Sequence, residues 1–433
     1  MQILKIKNFG PIGENKNDID GFFTVNISPV TVFIGETASG KSTIAKLYSI
    51  FLWLEKKLMR TELSVNLNIE VFKNLCRQQE IGDYFSSETV LIYEGDVFIF
   101  EYNEKNNTIT KSAKKDISVY VLPKIQYVSA ARNLLTLLYA IRSSTITSED
   151  GNILTLSSNI PFMVNDLNTE YLRALNELAR DGFDLPIEKT QVFYQDHRTF
   201  IETDKKKISM SSASSGIQSI TPLLLVSEFL SCEVKKDLFE KLQVTNENLK
   251  NNIRNELHKT NYDNLIEKFN LYCMGGREIL GQDSDIGLLE NIIKKFIPSC
   301  FINIVEEPEQ NLYPNSQGKV LYKLLECMNV NEHNQLIITT HSPYLLSYLT
   351  LVAKAAELSN KKVPIDRIKT IVPEKSMILG KKITIYEMKN NGSIECLPPY
   401  AGLPSDNNVL NQAMADGNGL FADLLDMEQE FCE

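Results

Sequence analysis

The chain has 433 residues, enough for two or three ordinary domains or one large elaborated one. At 43% hydrophobic and 23% charged residues, its composition is neither disordered nor fibrous. A net charge of −10 argues against a surface given over wholly to nucleic acid and leaves room only for a local basic patch.

The seven cysteines (Cys76, Cys232, Cys273, Cys300, Cys327, Cys396 and Cys432) are scattered, odd in number and free of any CxxC pair. Reduced thiols are expected, not a disulfide frame or a zinc site. The opening MQILKIKNFG has no apolar h-region, and no apolar run approaches ~20 residues. Neither a signal peptide nor a membrane span is expected, and the expected location is the cytoplasm.

The N-terminal residues alternate, with Leu4 and Ile6 against Ile3, Lys5 and Lys7, which reads as an edge-like strand. Pro29 to Ile34 is short, β-branched and nearly all apolar, the pattern of a buried parallel strand. A glycine-rich turn follows, then a helix over 42–59 that is apolar nearly all round in its first half and so buried on both sides. VLIYEGDVFIFEY predicts a hairpin about Glu94-Gly95-Asp96, and residues 192–203 a second β stretch. Residues 170–182 read as an amphipathic helix closed by Gly182. A polar helical lobe is expected over 222–298. Buried strands are expected at 301–305 and 335–340 with a helix between, and a last strand at 382–389. The tail carries the turn signals AGLPSDN and ADGNG. The expected domains are 1–221, 222–298 and 299–433.

Gly35-Glu36-Thr37-Ala38-Ser39-Gly40-Lys41-Ser42 matches G-x-x-x-x-G-K-[ST] between a strand and a helix, the context that marks a P-loop. The four specified positions match by chance at roughly 1 site in 30,000, and somewhere in a chain of this length about 1–2% of the time. Glycines let successive N–H groups turn inward, and the new helix adds its unpaired N–H groups and positive dipole end. Gly35, Ala38, Ser39, Gly40, Lys41, Ser42 and Thr43 are therefore the candidate nucleotide-binding residues. Lys41 would meet the β- and γ-phosphates, and the Ser42 hydroxyl Mg²⁺.

The strand 301–305 delivers Glu306-Glu307-Pro308-Glu309 at its C-terminal end, a Walker B pattern. Glu306 is the candidate to hold Mg²⁺ through its water shell, where Asp is usual, and Glu307 the candidate to orient or deprotonate the attacking water. His341, after the 335–340 strand, is placed to bond the γ-phosphate. Gln126 is a candidate Q-loop glutamine at the metal. Ser211 to Gln218 is a small, hydroxyl-rich segment before an apolar run, and Ser214, Ser215 and Gly216 would start a helix whose N–H groups face a γ-phosphate.

In this order the motifs resemble an ABC-type ATPase of the SMC, RecF and OLD branch. The fold class expected is α/β, a P-loop ATPase with an antiparallel β lobe and a helical insertion lobe. The resemblance implies ATP and Mg²⁺ as ligands, hydrolysis of ATP to ADP and phosphate, and a homodimer closed through two ATP sites. In it, Ser214, Ser215 and Gly216 of one subunit face the P-loop of the other. IKNFGPI, EEPEQNLYP and TTHSP look like the OLD/RecF side of the branch, and Ser129-Ala130-Ala131-Arg132 resembles its SAxR element. There is no long coiled coil, and no separated Glu and DxD acids of a TOPRIM nuclease follow His341. The nearest resemblance is to ATPase subunits of bacterial anti-phage systems, the AriA type of PARIS first and the PtuA type of Septu second. It implies a higher homo-oligomer, a separate AriB-like TOPRIM nuclease subunit and a phage-encoded trigger protein, with no membrane partner. The alternative is a RecF-like DNA-repair ATPase that clamps duplex DNA. For that the chain offers Lys111 with Lys114 and Lys115, Lys205 to Lys207, Lys235-Lys236 and Lys361-Lys362. Direct nucleic-acid binding stays open at this point.

Overall fold

A computed structural model describes residues 2–60, 67–114, 120–136, 162–187, 189–204, 206–243, 245, 247–258, 264–274 and 284–432. The alternating N-terminal segment is β1 (Ile3–Phe9), followed by β2 (Phe23–Asn26) and the wholly buried β3 (Val30–Gly35). The glycine-rich turn leads into α1 (Lys41–Arg60). Next comes α2 (Ile69–Gln78), capped by Asn68, which accepts the Val71 N–H at 2.9 Å. The expected hairpin joins β4 (Phe85–Glu94) to β5 (Phe98–Asn103), with β6 (Thr108–Ala113) alongside. These strands make an antiparallel sheet in the order β2-β1-β4-β5-β6. β1 is therefore interior and not an edge: its alternation records one wet face, which an interior antiparallel strand also has.

The chain continues through β7 (Pro123–Val128) and α3 (Phe162–Leu178), which starts eight residues before the expected 170. A second antiparallel sheet, in the order β11-β10-β9-β8, comprises β8 (Phe183–Leu185), β9 (Thr190–Gln195), β10 (Arg198–Glu202) and β11 (Lys207–Ser209). Next is α4 (Ser215–Lys235), which runs straight through the expected 221/222 boundary because Ile220, Thr221 and Leu223 to Val226 are all fully buried. No uninterrupted apolar run of that length occurs in α4 either, but by length and mean hydropathy α4 would suffice to cross a membrane. Yet 72% of its apolar window lies inside the fold, as in a core helix.

The helical lobe consists of α5 (Leu238–Gln243), α6 (Glu247–His258), α7 (Asn264–Cys273) and α8 (Ser284–Lys294). It has its own small core around Ile253, Phe269, Tyr272 and Ile293. The C-terminal part holds β12 (Cys300–Glu306), α9 (Pro314–Met328), β13 (Gln335–Thr340), α10 (Pro343–Asn360) and α11 (Ile365–Lys369). It ends with β14 (Ile383–Met388), β15 (Ile394–Leu397) and α12 (Val409–Cys432). The ADGNG turn signal lies inside α12: Gly417 and Gly419 are helical.

The central sheet has the order β15-β14-β3-β13-β12-β7, parallel except for the edge pair β14–β15. One face (Val32, Ile338, Val305) packs on α4, α9 and α10, and the other (Phe33, Ile304, Ile337) on α1 and the first antiparallel sheet. α1 is thus held between two sheets, which is why its apolar residues run nearly round it. β13 lies between β3 and β12, so its C-terminal end sits between the P-loop and the strand-end acids.

Candidate nucleotide site

The cradle Gly35 to Ser42 turns on three residues in the left-handed region: Gly35 (φ 141°), Ala38 (φ 65°) and Gly40 (φ 101°). A Cβ on Gly35 would collide with the Met388 carbonyl, so β14 fixes that glycine. Lys41 is 6% exposed. Its Nζ donates to the Gly35 carbonyl at 3.0 Å, the Glu36 carbonyl at 2.6 Å and Ser39 Oγ at 3.4 Å. Burial lowers its pKa to about 8, while Glu307 and Glu309 favour the charged form. α1 has no acid in its first turn, so its positive end faces the cradle uncompensated. Ser42 is exposed and Thr43 buried. A buried ammonium, a helix start without acids and an exposed Ser42 hydroxyl are a donor set suited to a phosphate with its magnesium.

Across β13, Glu306 is buried and accepts from Tyr127 Oη at 2.6 Å and from the Ala130 N–H at 3.0 Å. Both of its oxygens carry a protein donor, which fits contact with a cation through water better than direct ligation. Glu307 leaves the strand with φ 44°. For a side-chain-bearing residue that costs about 1–2 kcal/mol. The geometry is held at both ends: the Glu307 N–H donates to the Thr339 carbonyl at 2.8 Å, and its carbonyl accepts from Arg132 Nη2 at 2.6 Å. The carboxylate emerges 37% exposed, with Oε1 3.8 Å from His341 Nε2. Burial and the nearby Lys41 lower the His341 pKa, so its imidazole is neutral at pH 7.

Two residues to which the sequence reading gave no mechanical role hold this arrangement. Arg132, resembling part of an SAxR element, is wholly buried. It donates to four backbone carbonyls: Glu306 at 2.6 Å, Glu307 at 2.6 Å, Ser129 at 3.3 Å and, on α4, Ser219 at 3.1 Å. Burial lowers its pKa to about 10, leaving it charged at neutral pH. Glu309 accepts from Thr340 Oγ1 at 2.7 Å and from the His341 N–H at 2.8 Å, fixing the end of β13. Its Oε2 is enclosed without a hydrogen-bond partner among the described residues, and burial raises its pKa.

Gln126 is not where a metal-binding glutamine would stand. It is fully buried within β7, paired in register with Asn303, and donates from Nε2 to the Tyr127 carbonyl at 3.1 Å. Asn303 lies about 10 Å down β12 from Glu306. It bonds Ser227 of α4 and so faces the other side of the sheet. The residue one place on, Tyr127, is the one that meets Glu306.

Ser214 to Gly216 are not brought to the cradle. Ser214 is the N-cap of α4, its side chain makes no capping bond, and it and Ser215 are exposed. The first turn of α4 also lacks an acid. Gly216 is buried against the acidic turn, where a Cβ would stand 2.6 Å from the Asn311 carbonyl. Gln218 ties the preceding loop by donating to the carbonyls of Met210, Ser211 and Ala213. Of the basic clusters, Lys115 and Lys205 lie outside the described residues. Lys236 pairs with Glu233, Lys361 with Glu357, and Lys114 bonds the Gly95 carbonyl.

Strand order and cradle make this an α/β fold with a mostly parallel central sheet, a phosphate-type cradle after β3 and flanking antiparallel and helical lobes. A family model described as "AAA ATPase domain" matches residues 294–346, which span β12 to the start of α10. No curated protein matches the chain. Among solved structures, it is similar to an SmcHead bound to the C-winged helix domain of ScpA. That likeness has 8% identity and a TM-score of 0.36, over 91% of this chain and 96% of that one. It is also similar to the SMC head domain from Thermotoga maritima, at 10% identity and a TM-score of 0.34, over 92% and 98%. The cradle and the matched segment together support an ATPase in general terms.

Proposed function

We propose that the chain binds ATP with Mg²⁺ and hydrolyses it in a pocket completed by a second copy of itself. The observation that carries this is the convergence of buried Lys41, the Glu307–His341 pair and the Arg132 clamp at the C-terminal ends of neighbouring strands. Lys41 and the N–H groups opening α1 hold the phosphates. Ser42 and Glu306 would hold Mg²⁺, whose charge stabilises the transferring phosphoryl group. Glu307 orients the attacking water and takes its proton. Neutral His341 donates toward the γ-phosphate. Ser214, Ser215 and Gly216 of the partner subunit supply a second helix start. The spare Ser214 hydroxyl and the acid-free first turn of α4 support that role.

We further propose that closing and opening of this homodimer, within a higher homo-oligomer in the cytoplasm, serves an anti-phage system. There the protein holds a separate TOPRIM-type nuclease, AriB-like in the nearest resemblance, and releases or activates it when a phage protein is sensed. The motif resemblance supports this reading over a duplex clamp. So does the charge balance, with Lys236 and Lys361 engaged by glutamates.

Lys41→Ala should abolish hydrolysis. Glu307→Gln should lower turnover about 100-fold or more and accumulate an ATP-bound dimer, seen by light scattering with nucleotide. Parent turnover in either variant contradicts the assignment. A TOPRIM-type nuclease encoded beside this chain and co-purifying with it would support the defence reading. Duplex DNA binding that weakens steeply with salt would instead favour the clamp.

A further inference from the structure

Among the described residues, the C-terminal helix α12 is anchored only at its base. Asn408 accepts the N–H groups of Leu410 and Asn411 at 3.1 and 3.0 Å, and the Val409 N–H donates to Glu387 Oε2 at 2.8 Å. Val409 and Leu410 pack against the core, whereas every residue from Gln412 to Glu430 is exposed. Large apolar side chains are among them: Leu420 is 66% exposed, Phe421 63%, Leu424 62% and Met427 56%.

The exposed apolar residues are ordered. From Leu410 at the packed base, Ala413, Gly417, Leu420, Leu424 and Met427 follow at alternating spacings of three and four, the seam of a helix that packs along another helix, with Met414 and Phe421 beside it. Gly417 and Gly419 have nothing within 4 Å of an added Cβ, so no contact in this subunit requires them. Each weakens a helix by roughly 1 kcal/mol. At its seam position, Gly417 would let a second backbone approach closely. The seam is bordered by Asp416, Asp423 and Glu430 on one side and by Met414, Phe421 and Glu428 on the other, and residues 390–433 contain no Lys or Arg. Two copies of such a helix would set acids against acids.

We propose that α12 is a docking helix for a different protein, one that offers an apolar groove or helix face bordered by Lys and Arg. The inference does not depend on the nucleotide reading. It does have a mechanical consequence: Glu387, which holds the base of α12, pairs in register with Ile34, the residue before Gly35 of the cradle.

The test uses the full chain and two fluorescent 28-residue heptad peptides, both with Leu at the seam, one flanked by Lys and the other by Glu. Anisotropy should show saturable binding of the Lys-flanked peptide, at least tenfold tighter than the Glu-flanked one and weakening with salt. In L420E/L424E, whose changes lie on exposed positions, binding should fall at least tenfold while ATP turnover stays at the parent level. Equal affinity for both peptides, no saturable binding, or unchanged binding in the double variant would overturn the proposal. So would self-association of the parent chain that L420E/L424E abolishes, since the occupant would then be a second copy.

Discussion

Arg132 makes the strongest claim at the scale of single residues. One buried guanidinium ties together the carbonyls of both strand-end glutamates and a carbonyl of α4. Arg132→Ala would remove a charge-assisted hydrogen bond from each of those carbonyls, at about 1.5–3 kcal/mol each, although the Glu307 carbonyl also accepts the Gln310 N–H at 3.0 Å. We expect a loss of at least about 3 kcal/mol in urea denaturation, with partial recovery in Arg132→Lys; an unchanged midpoint would remove the clamp. The cradle was legible because its turn and the Lys41 hydrogen bonds lie within a few positions of one another along the chain, although the clearance at Gly35 is set by distant Met388. The work of Arg132 was not, because its partners stand 87 and 174 positions away. Gln126 failed by a single place: strand periodicity puts alternate residues on opposite faces, and Tyr127 has the phase that meets Glu306.

At the scale of elements, α1 does two jobs. Its first turn makes the cradle, and its later turns bury Glu55 against the β4–β5 hairpin. There Glu55 Oε1 accepts the Val97 and Phe98 N–H groups at 2.7 and 3.0 Å. Burial raises its pKa to about 7 despite those bonds. A carboxyl with a raised folded pKa contributes stability that is complete below the unfolded value near 4.5 and is lost as pH rises to about 7. The loss is on the order of 3 kcal/mol. Glu55→Gln should therefore flatten the stability–pH curve between about 4.5 and 7, as followed by denaturation at a series of pH values; an unaltered slope would show that Glu55 does not titrate there. The buried strands and α1 were legible from period and composition. α12 was not: Gly417 and Gly419 read as turn residues by local chemistry, and the helix spans them nonetheless. The edge-like reading of β1 failed for a different reason, since an alternating pattern reports one wet face and does not say how many neighbours a strand has.

For the whole molecule, the proposed mechanism turns on where the cradle and the N-terminus of α4 stand. The cradle lies between α1 and the central sheet, whereas Ser214 and Ser215 open outward from the other face, with Gly216 packed on the Asn311 carbonyl of their own subunit. The proposed pocket draws them from two chains. The order of motifs along the sequence suggested that division, and the placement of α4 on the sheet face opposite α1 is compatible with it. The most direct test mixes two variants, Lys41→Ala and Ser214→Trp, each expected to be inactive alone. Random pairing makes about half the dimers mixed, and each mixed dimer holds one intact pocket of two, so turnover should recover to roughly a quarter of the parent rate. Mixed subunits that stay inactive, or Ser214→Trp that turns over at the parent rate by itself, would contradict a pocket shared between two chains.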